Sequence, residues 1–344
     1  MNQPIHSSPL LPSGLTDVLP PEAMKEFGLI HHLLKCFTGF GYAPIIPPLM
    51  EFENQLLSGQ GEVTSHHTFR AMDPLANKML AFRADMTSQI TRIASHSLRN
   101  APRPLRLCYA GYTLRTMPEA LHTRRQHTQI GIERYGSKSP VAQAEIISIA
   151  VHALKTAGLG ELTVDIHFPS LLLPLLKDMK EHGAIIEAVK HKDTTKLRAL
   201  GASNIAAVID ATGSATQVLE MLKTIKNTDV QKAVEEVTLL TNELQARAVP
   251  AHITVDLLEL SGYGYYAGAG FALFLNNPAF ELGRGGAYLT PSNEEATGFT
   301  LYANELLETL PQMEKKPVKI LPANSSAEEA AMLQAQGFVT LLGE

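Results

Sequence analysis

The sequence predicts an α+β fold: an antiparallel sheet flanked by helices, with a helical subdomain inserted at about 170–250 and a short C-terminal β-α-β tail. Three observations carry that expectation. Alternation with period two marks strands between Leu105 and Glu133. Residues 170 to 250 then change character, to helical runs with few strand-like stretches. Strands resume at Gly270 and the core pattern continues to about Leu310.

Along the chain, Ala23, Phe27, Ile30, Leu34 and Phe37 recur at 4-3-4-3 spacing after Pro20-Pro21-Glu22. That is an amphipathic helix with proline at its start, ended by Gly39 and Gly41. Tyr42 to Leu49 reads as a strand broken by Pro47 and Pro48, and prolines confine such a strand to a sheet edge or a bulge. An edge of that kind often sits at a subunit interface. Leu105, Leu107 and Tyr109 alternate with Arg106 and Cys108, and Ile130 and Ile132 alternate with Gln129, Gly131 and Glu133, which makes antiparallel strands of both stretches. Ser139-Pro140 caps a helix running to Gly158, and a strand follows over Leu162–Phe168. Helical runs over Ser170–Glu181, Ala215–Leu222 and Val230–Gln245 build the insertion. A strand over Gly270–Leu275, a Gly-rich turn at Gly283–Gly286 and a final segment near Leu310 complete the core. Beyond Pro311 and the charged Glu314-Lys315-Lys316, the stretches Val318–Leu321, Ser325–Gln336 and Phe338–Leu342 read as strand, helix and strand. The expected organisation is a core domain over 1–312 containing the insertion, and a small α/β segment over 313–344.

With 344 residues and 45% hydrophobic content, the chain is long enough to bury a sizeable core. Its opening residues are interrupted by Pro4, His6, Ser7, Ser8 and Pro12, which does not fit an export signal. No apolar run approaches the ~18–20 residues a membrane span needs. The two cysteines, Cys36 and Cys108, form no CxxC and read as buried thiols, so a reducing cytoplasm is expected. A net charge of −5 argues against a polyanion as the main partner. The local exception is Arg99, Arg103, Arg106, Arg115, Arg124 and Arg125, dense enough to hold a small phosphorylated ligand. His66, His67, His122 and His127 lack metal-ligand spacing and read as surface or loop residues, and no metal is expected.

Gln129 and Glu133 lie four apart in a strand and face the same way, with Gly131 between them leaving a hollow. An amide and a carboxylate beside a hollow suit an ammonium or imidazole group. The run from Arg124 to Glu133 resembles the histidyl-tRNA synthetase pattern Arg-x-Arg-Gln-Phe-His-Gln-x-Gly-x-Glu, and Leu114-Arg115 precedes it where that family has Phe-Arg-x-Glu. Phe82-Arg83-Ala84-Asp85-Met86-Thr87 stands where the family has Leu-Arg-Pro-Glu-Gly-Thr. Leu260 to Tyr266 and Gly298 to Leu306 resemble Arg-Gly-Leu-Asp-Tyr-Tyr and Gly-Phe-Ala-x-Gly-x-Glu-Arg-Leu. The resemblance covers roughly residues 10 to 310. It implies the class II aminoacyl-tRNA synthetase sheet, dimerisation through Gly41–Leu49, and a histidine pocket made by Asp85, Thr87, Gln129, Glu133, Tyr265 and Tyr266, with Arg115 meeting the ligand carboxylate.

The departures from that pattern decide the expected function. The two motif arginines fall on Ser261 and Glu305, and the glutamate of Phe-Arg-x-Glu is absent from Leu114-Arg115-Thr116-Met117. Adenylation relies on cationic side chains around a triphosphate. A charge pair at ~4 Å and an effective dielectric of about 20 is worth roughly 4 kcal/mol. Reversing its sign with Glu305 swings roughly 8 kcal/mol, and even half of that costs about a thousandfold in rate. The tail after Pro311 is also below the ~50 residues a domain generally needs, too short for an anticodon-binding domain. Synthetase-like chains with a histidine pocket and neither of those features resemble the regulatory subunits of ATP phosphoribosyltransferase. That resemblance implies no catalysis and no cofactor, a homodimer within a hetero-oligomer, a short-form catalytic subunit as partner, L-histidine as effector, and no tRNA or membrane. Two other readings compete: a free-standing synthetase-like binding or sensing module, and an active histidyl-tRNA synthetase. The run Gly262-x-Gly264-x-x-Ala267 is no dinucleotide fingerprint, because strand rather than helix follows it.

Overall fold

The computed structural model describes residues 11–57, 65–118, 124–260, 266–275, 281–310 and 316–343. The chain divides into two compact units, Met1–Leu310 and Pro311–Glu344.

In the first unit, helix α1 (Glu22–Gly39) leads through Gly41, whose φ of +82° suits glycine, into the two-residue strand β1 (Ala43–Pro44). The expected strand over Tyr42–Leu49 is thus cut to β1, which does lie at the edge of the main sheet. Strands β2 (Met50–Phe52), β3 (Arg70–Asp73) and β4 (Lys78–Phe82), with helix α2 (Glu53–Leu56) after β2, form a separate three-stranded sheet in the order β2-β4-β3. Helix α3 (Thr87–Ser95) precedes the long hairpin of β5 (Leu105–Leu114) and β6 (Gln126–Tyr135). Helix α4 (Pro140–Thr156) starts at Ser139, whose hydroxyl accepts from the Ala142 amide, and β7 (Leu162–His167) follows.

The insertion holds α5 (Leu172–Leu176), α6 (His182–Lys190), α7 (Thr194–Ala199), α8 (Ser203–Asp210), β8 (Gly213–Ser214), α9 (Ala215–Leu222) and α10 (Thr228–Ala246). The helix expected over Ser170–Glu181 is only a 3-10 turn at Pro169–Leu171 plus the five residues of α5. Strands β9 (His252–Val255), β10 (Tyr266–Leu275), β11 (Glu281–Leu289) and β12 (Glu295–Tyr302), then helix α11 (Ala303–Thr309), close the unit. The run Gly283–Gly286 is not a turn but the middle of β11. A side chain at Gly285 would place its Cβ 2.3 Å from the Gly298 carbonyl oxygen, so glycine is there for close packing.

Among the described residues, the main sheet has the order β1-β5-β6-β12-β11-β10-β7-β9-β8. Its central run from β5 to β7 is antiparallel throughout, whereas β1 pairs with β5 and β7 with β9 in parallel. The second parallel pair follows from the insertion, since a parallel partner needs a long crossover. Cys108, Ile130, Ile132, Phe271, Leu273, Phe299 and Leu301 join one apolar core with residues of α1, α4 and α10. The alternate positions Leu107, Tyr109, Tyr135, Tyr288 and Ala296 join Met86, Ile90 and Ala94 in a second cluster. Both sheet faces are therefore covered.

Helix α1 is rotated from the expected stripe. Its buried residues are Glu26, Leu29, Leu33 and Phe37, and Phe27 is exposed. Glu26 tolerates burial because its carboxylate accepts the Thr128 hydroxyl at 2.6 Å. No helix among the described residues is long and apolar enough to cross a membrane. The second unit comprises β13 (Val318–Leu321), α12 (Ala327–Ala335) and β14 (Val339–Leu342), with the two strands parallel and a capping box between Ser326 and Glu329.

Candidate functional site

Period two on β6 places Gln129, Gly131, Glu133 and Tyr135 on the sheet face that α3 covers. The loop entering α3 docks on that face through Gln129. Its side-chain oxygen accepts the Met86 amide at 3.0 Å and its side-chain nitrogen donates to Asp85 Oδ2 at 3.0 Å. The other Asp85 oxygen accepts the Thr87 amide at 2.8 Å. Asp85 and Thr87 thus meet Gln129 and Glu133, a pair distant from them in sequence. Asp85 and Glu133 also feel each other's charge.

Glu133 is 2% exposed and accepts the Tyr288 hydroxyl at 2.8 Å. Burial pushes its carboxyl up to about 8, with the Asp85 charge adding to the rise, while hydrogen bonds from Tyr288 and Thr87 oppose it. A network continues from Tyr288 to Tyr135 at 3.4 Å and from Tyr135 to Thr91 at 3.2 Å. The hollow expected over Gly131 is filled, since a Cβ there would lie 2.5 Å from the Tyr109 hydroxyl. That hydroxyl pairs instead with Thr300 Oγ1 at 2.8 Å. Burial first, and then the charges of Glu133 and Asp85, drive the Tyr109 phenol well above its ordinary value.

Tyr266 stands at the start of β10, 8% exposed, within electrostatic reach of Glu133 and Asp85. Arg115 donates to the Ala84 carbonyl oxygen at 3.4 Å, beside Asp85. Tyr265 and Ser261 lie outside the described residues. Glu305 is buried in the first turn of α11, where a carboxylate suits the helix N-terminus.

The other arginines do not assemble. Arg103 pairs with Glu294 at 2.5 Å, Arg106 with Glu145 at 3.1 Å and Arg124 with Glu308 at 3.4 Å, while Arg125 lies 4.8 Å from the Phe69 ring centre. The expected phosphate-binding cluster is therefore broken up at Arg103, Arg106 and Arg124, while Arg125 stays beside Arg115, donating to its carbonyl oxygen at 3.2 Å. His127 is likewise no surface residue, being buried in β6. Cys108 is buried as expected, and Cys36 only half so. Among the described residues, no three His, Cys, Asp or Glu side chains converge as metal ligands would.

Tyr109, Tyr288, Tyr302 and Arg284 escaped the sequence reading. Tyr302 takes the place of the second glycine in the pattern Gly-Phe-Ala-x-Gly, and its phenol is in the field of Arg284, Arg115 and Tyr266. The Arg284 guanidinium is held by Glu281 through two bonds of 2.6 Å. The first signal available for Tyr302 was that departure from the pattern. Chemically, the site offers two carboxylates, an oriented amide and phenols in dry surroundings, which suits a small cationic or donor-rich ligand.

A model of the histidyl-tRNA synthetase family matches residues 14–306. The ATP phosphoribosyltransferase regulatory subunit of Paramagnetospirillum magneticum is 39% identical, over 97% of this chain and 90% of its own. Among solved structures, an ATP phosphoribosyltransferase regulatory subunit/histidyl-tRNA synthetase from Bacillus halodurans C aligns with a TM-score of 0.84 at 24% identity, covering 100% of this chain and 94% of that one. A chain of the ATP phosphoribosyl transferase complex from Thermotoga maritima aligns with a TM-score of 0.64 at 18% identity, covering 81% of this chain and 97% of that one.

Proposed function

Because this chain belongs to the histidyl-tRNA synthetase family, on the branch of the ATP phosphoribosyltransferase regulatory subunits, we propose that it binds L-histidine and passes that signal to a separate catalytic subunit. The observation carrying the reading is the convergence of Asp85, Thr87, Gln129 and Glu133 on one buried sheet face, beside Tyr266. Asp85 and Gln129 take the α-amino group, Glu133 and the tyrosines take the imidazole, and Arg115 takes the carboxylate. Tyr265 belongs to the same proposal by its place in the motif.

The chain itself catalyses no adenylation on this reading. Glu305 replaces one motif arginine and Ser261 the other, so the charge on a triphosphate would go unmet there. It acts as a homodimer within a hetero-oligomer in the cytoplasm, with a short-form ATP phosphoribosyltransferase as partner and without tRNA. Histidine inhibits by binding more tightly to a less active arrangement of the complex, since only differential affinity can shift an equilibrium. The test is histidine inhibition of the assembled complex carrying Glu133→Ala. Loss of inhibition with activation retained is expected. Inhibition at unchanged histidine concentration would place the effector elsewhere.

A further inference from the structure

The sheet face that carries Glu133 extends across neighbouring strands. Gly298 on β12 pairs with Glu133, Gly286 on β11 with Gly298, Gly270 on β10 with Gly286, and His167 on β7 with Gly270. Directly opposed residues project to the same face, so Glu133 and His167 stand at the two ends of a glycine floor. Three side chains lie on it. A Cβ at Gly298 would fall 2.0 Å from Glu133 Oε2, one at Gly286 2.7 Å from the Tyr266 ring, and one at Gly270 2.3 Å from His167 Nε2. The rings of His167 and Tyr266 are 5.7 Å apart at 56°.

His167 is 1% exposed, and neither ring nitrogen has a hydrogen-bond partner among the described residues. Burial pushes its imidazole down to about 4, so the ring is neutral and carries one donor and one acceptor. Buried polar groups left unmet are costly, and an apolar side chain of similar size would avoid that cost. Among the described residues, fold stability therefore gives no reason for a histidine here, whereas a polar ligand above the layer does.

We propose that His167 is a ligand-contacting, specificity-determining residue of the pocket: it hydrogen-bonds one edge of a heteroaromatic ring that lies across Tyr266 with its other edge toward Glu133. The proposal rests on the histidine reading of that pocket. The dimensions agree. Gly298 and Gly270 are two strand spacings apart, roughly 9.6 Å. A five-membered ring with a hydrogen bond of about 2.9 Å at each of two opposite edges spans roughly 8 Å.

Calorimetric titration of the full chain with L-histidine, and by competition with thienylalanine, tests this, because the thiophene ring has similar size but no ring nitrogen. His167→Leu should weaken histidine about tenfold, one hydrogen bond's worth, and leave thienylalanine within about twofold. His167→Phe should narrow the same selectivity, which keeps the test available if one variant folds poorly. Equal weakening of both ligands, or no change in either, would overturn the proposal while leaving the histidine pocket intact. Failure of the unsubstituted chain to bind L-histidine would overturn the histidine reading and this proposal together.

Discussion

Replacing Glu133 by glutamine should stabilise the chain at alkaline pH and leave it nearly unchanged in acid. The glutamate is fully buried, and burial raises its carboxyl from the ordinary 4.5 to about 8. Between those values the folded chain holds a proton that the unfolded chain has released. Stability therefore falls as pH rises. The contribution is fully present below 4.5 and lost as pH passes 8. At about 1.36 kcal/mol per pH unit, the wild type should lose about 4 kcal/mol between pH 5 and pH 8 through this group alone. Glutamine keeps the volume and can still accept the Tyr288 hydroxyl, now 2.8 Å from the carboxylate, but it does not ionise. Urea unfolding of both chains at half-unit pH steps reads the difference. Curves that stay parallel within about 1 kcal/mol over that range would refute the argument that this site is dry.

Three further outcomes follow from the same geometry. Gly298→Ala puts a methyl 2.0 Å from Glu133 Oε2 and 2.5 Å from the Ile132 carbonyl oxygen, and should cost about 1–3 kcal/mol in thermal unfolding and weaken histidine binding, seen by calorimetry. Histidine binding at pH 7 should release protons, because the ligand's ammonium against Asp85 offsets the charge that helps keep the Glu133 carboxyl protonated, so calorimetric enthalpies should differ between phosphate and Tris. Burial pushes the Cys108 thiol up to about 11, so mass spectrometry after alkylation at pH 8 should find it labelled only once the chain is unfolded.

The helix from Ser139-Pro140 and the hairpin of β5 and β6 were legible because cap chemistry and period two are local signals. The rotation of α1 was not. It depends on the bond from Thr128 to Glu26, a contact between residues 102 apart in sequence. Gly283–Gly286 misled for a similar reason, as glycine marks turns in sequence but here permits strands to pack closely. The motif residues Asp85, Thr87, Gln129 and Glu133 were found by resemblance, and their mutual hydrogen bonds needed the fold. Tyr109 and Tyr288 reach the site only through strand register, which no local pattern encodes. His167 had no motif at all, and only its burial without hydrogen-bond partners among the described residues singles it out.

The most direct test of the regulatory account is the rate of phosphoribosyl transfer from phosphoribosyl pyrophosphate to ATP by a cognate short-form catalytic subunit, with and without this chain, at zero and saturating L-histidine. The account predicts strong activation by the chain and suppression of that activation by histidine. A rate indifferent to the chain would contradict it and favour a free-standing binding module.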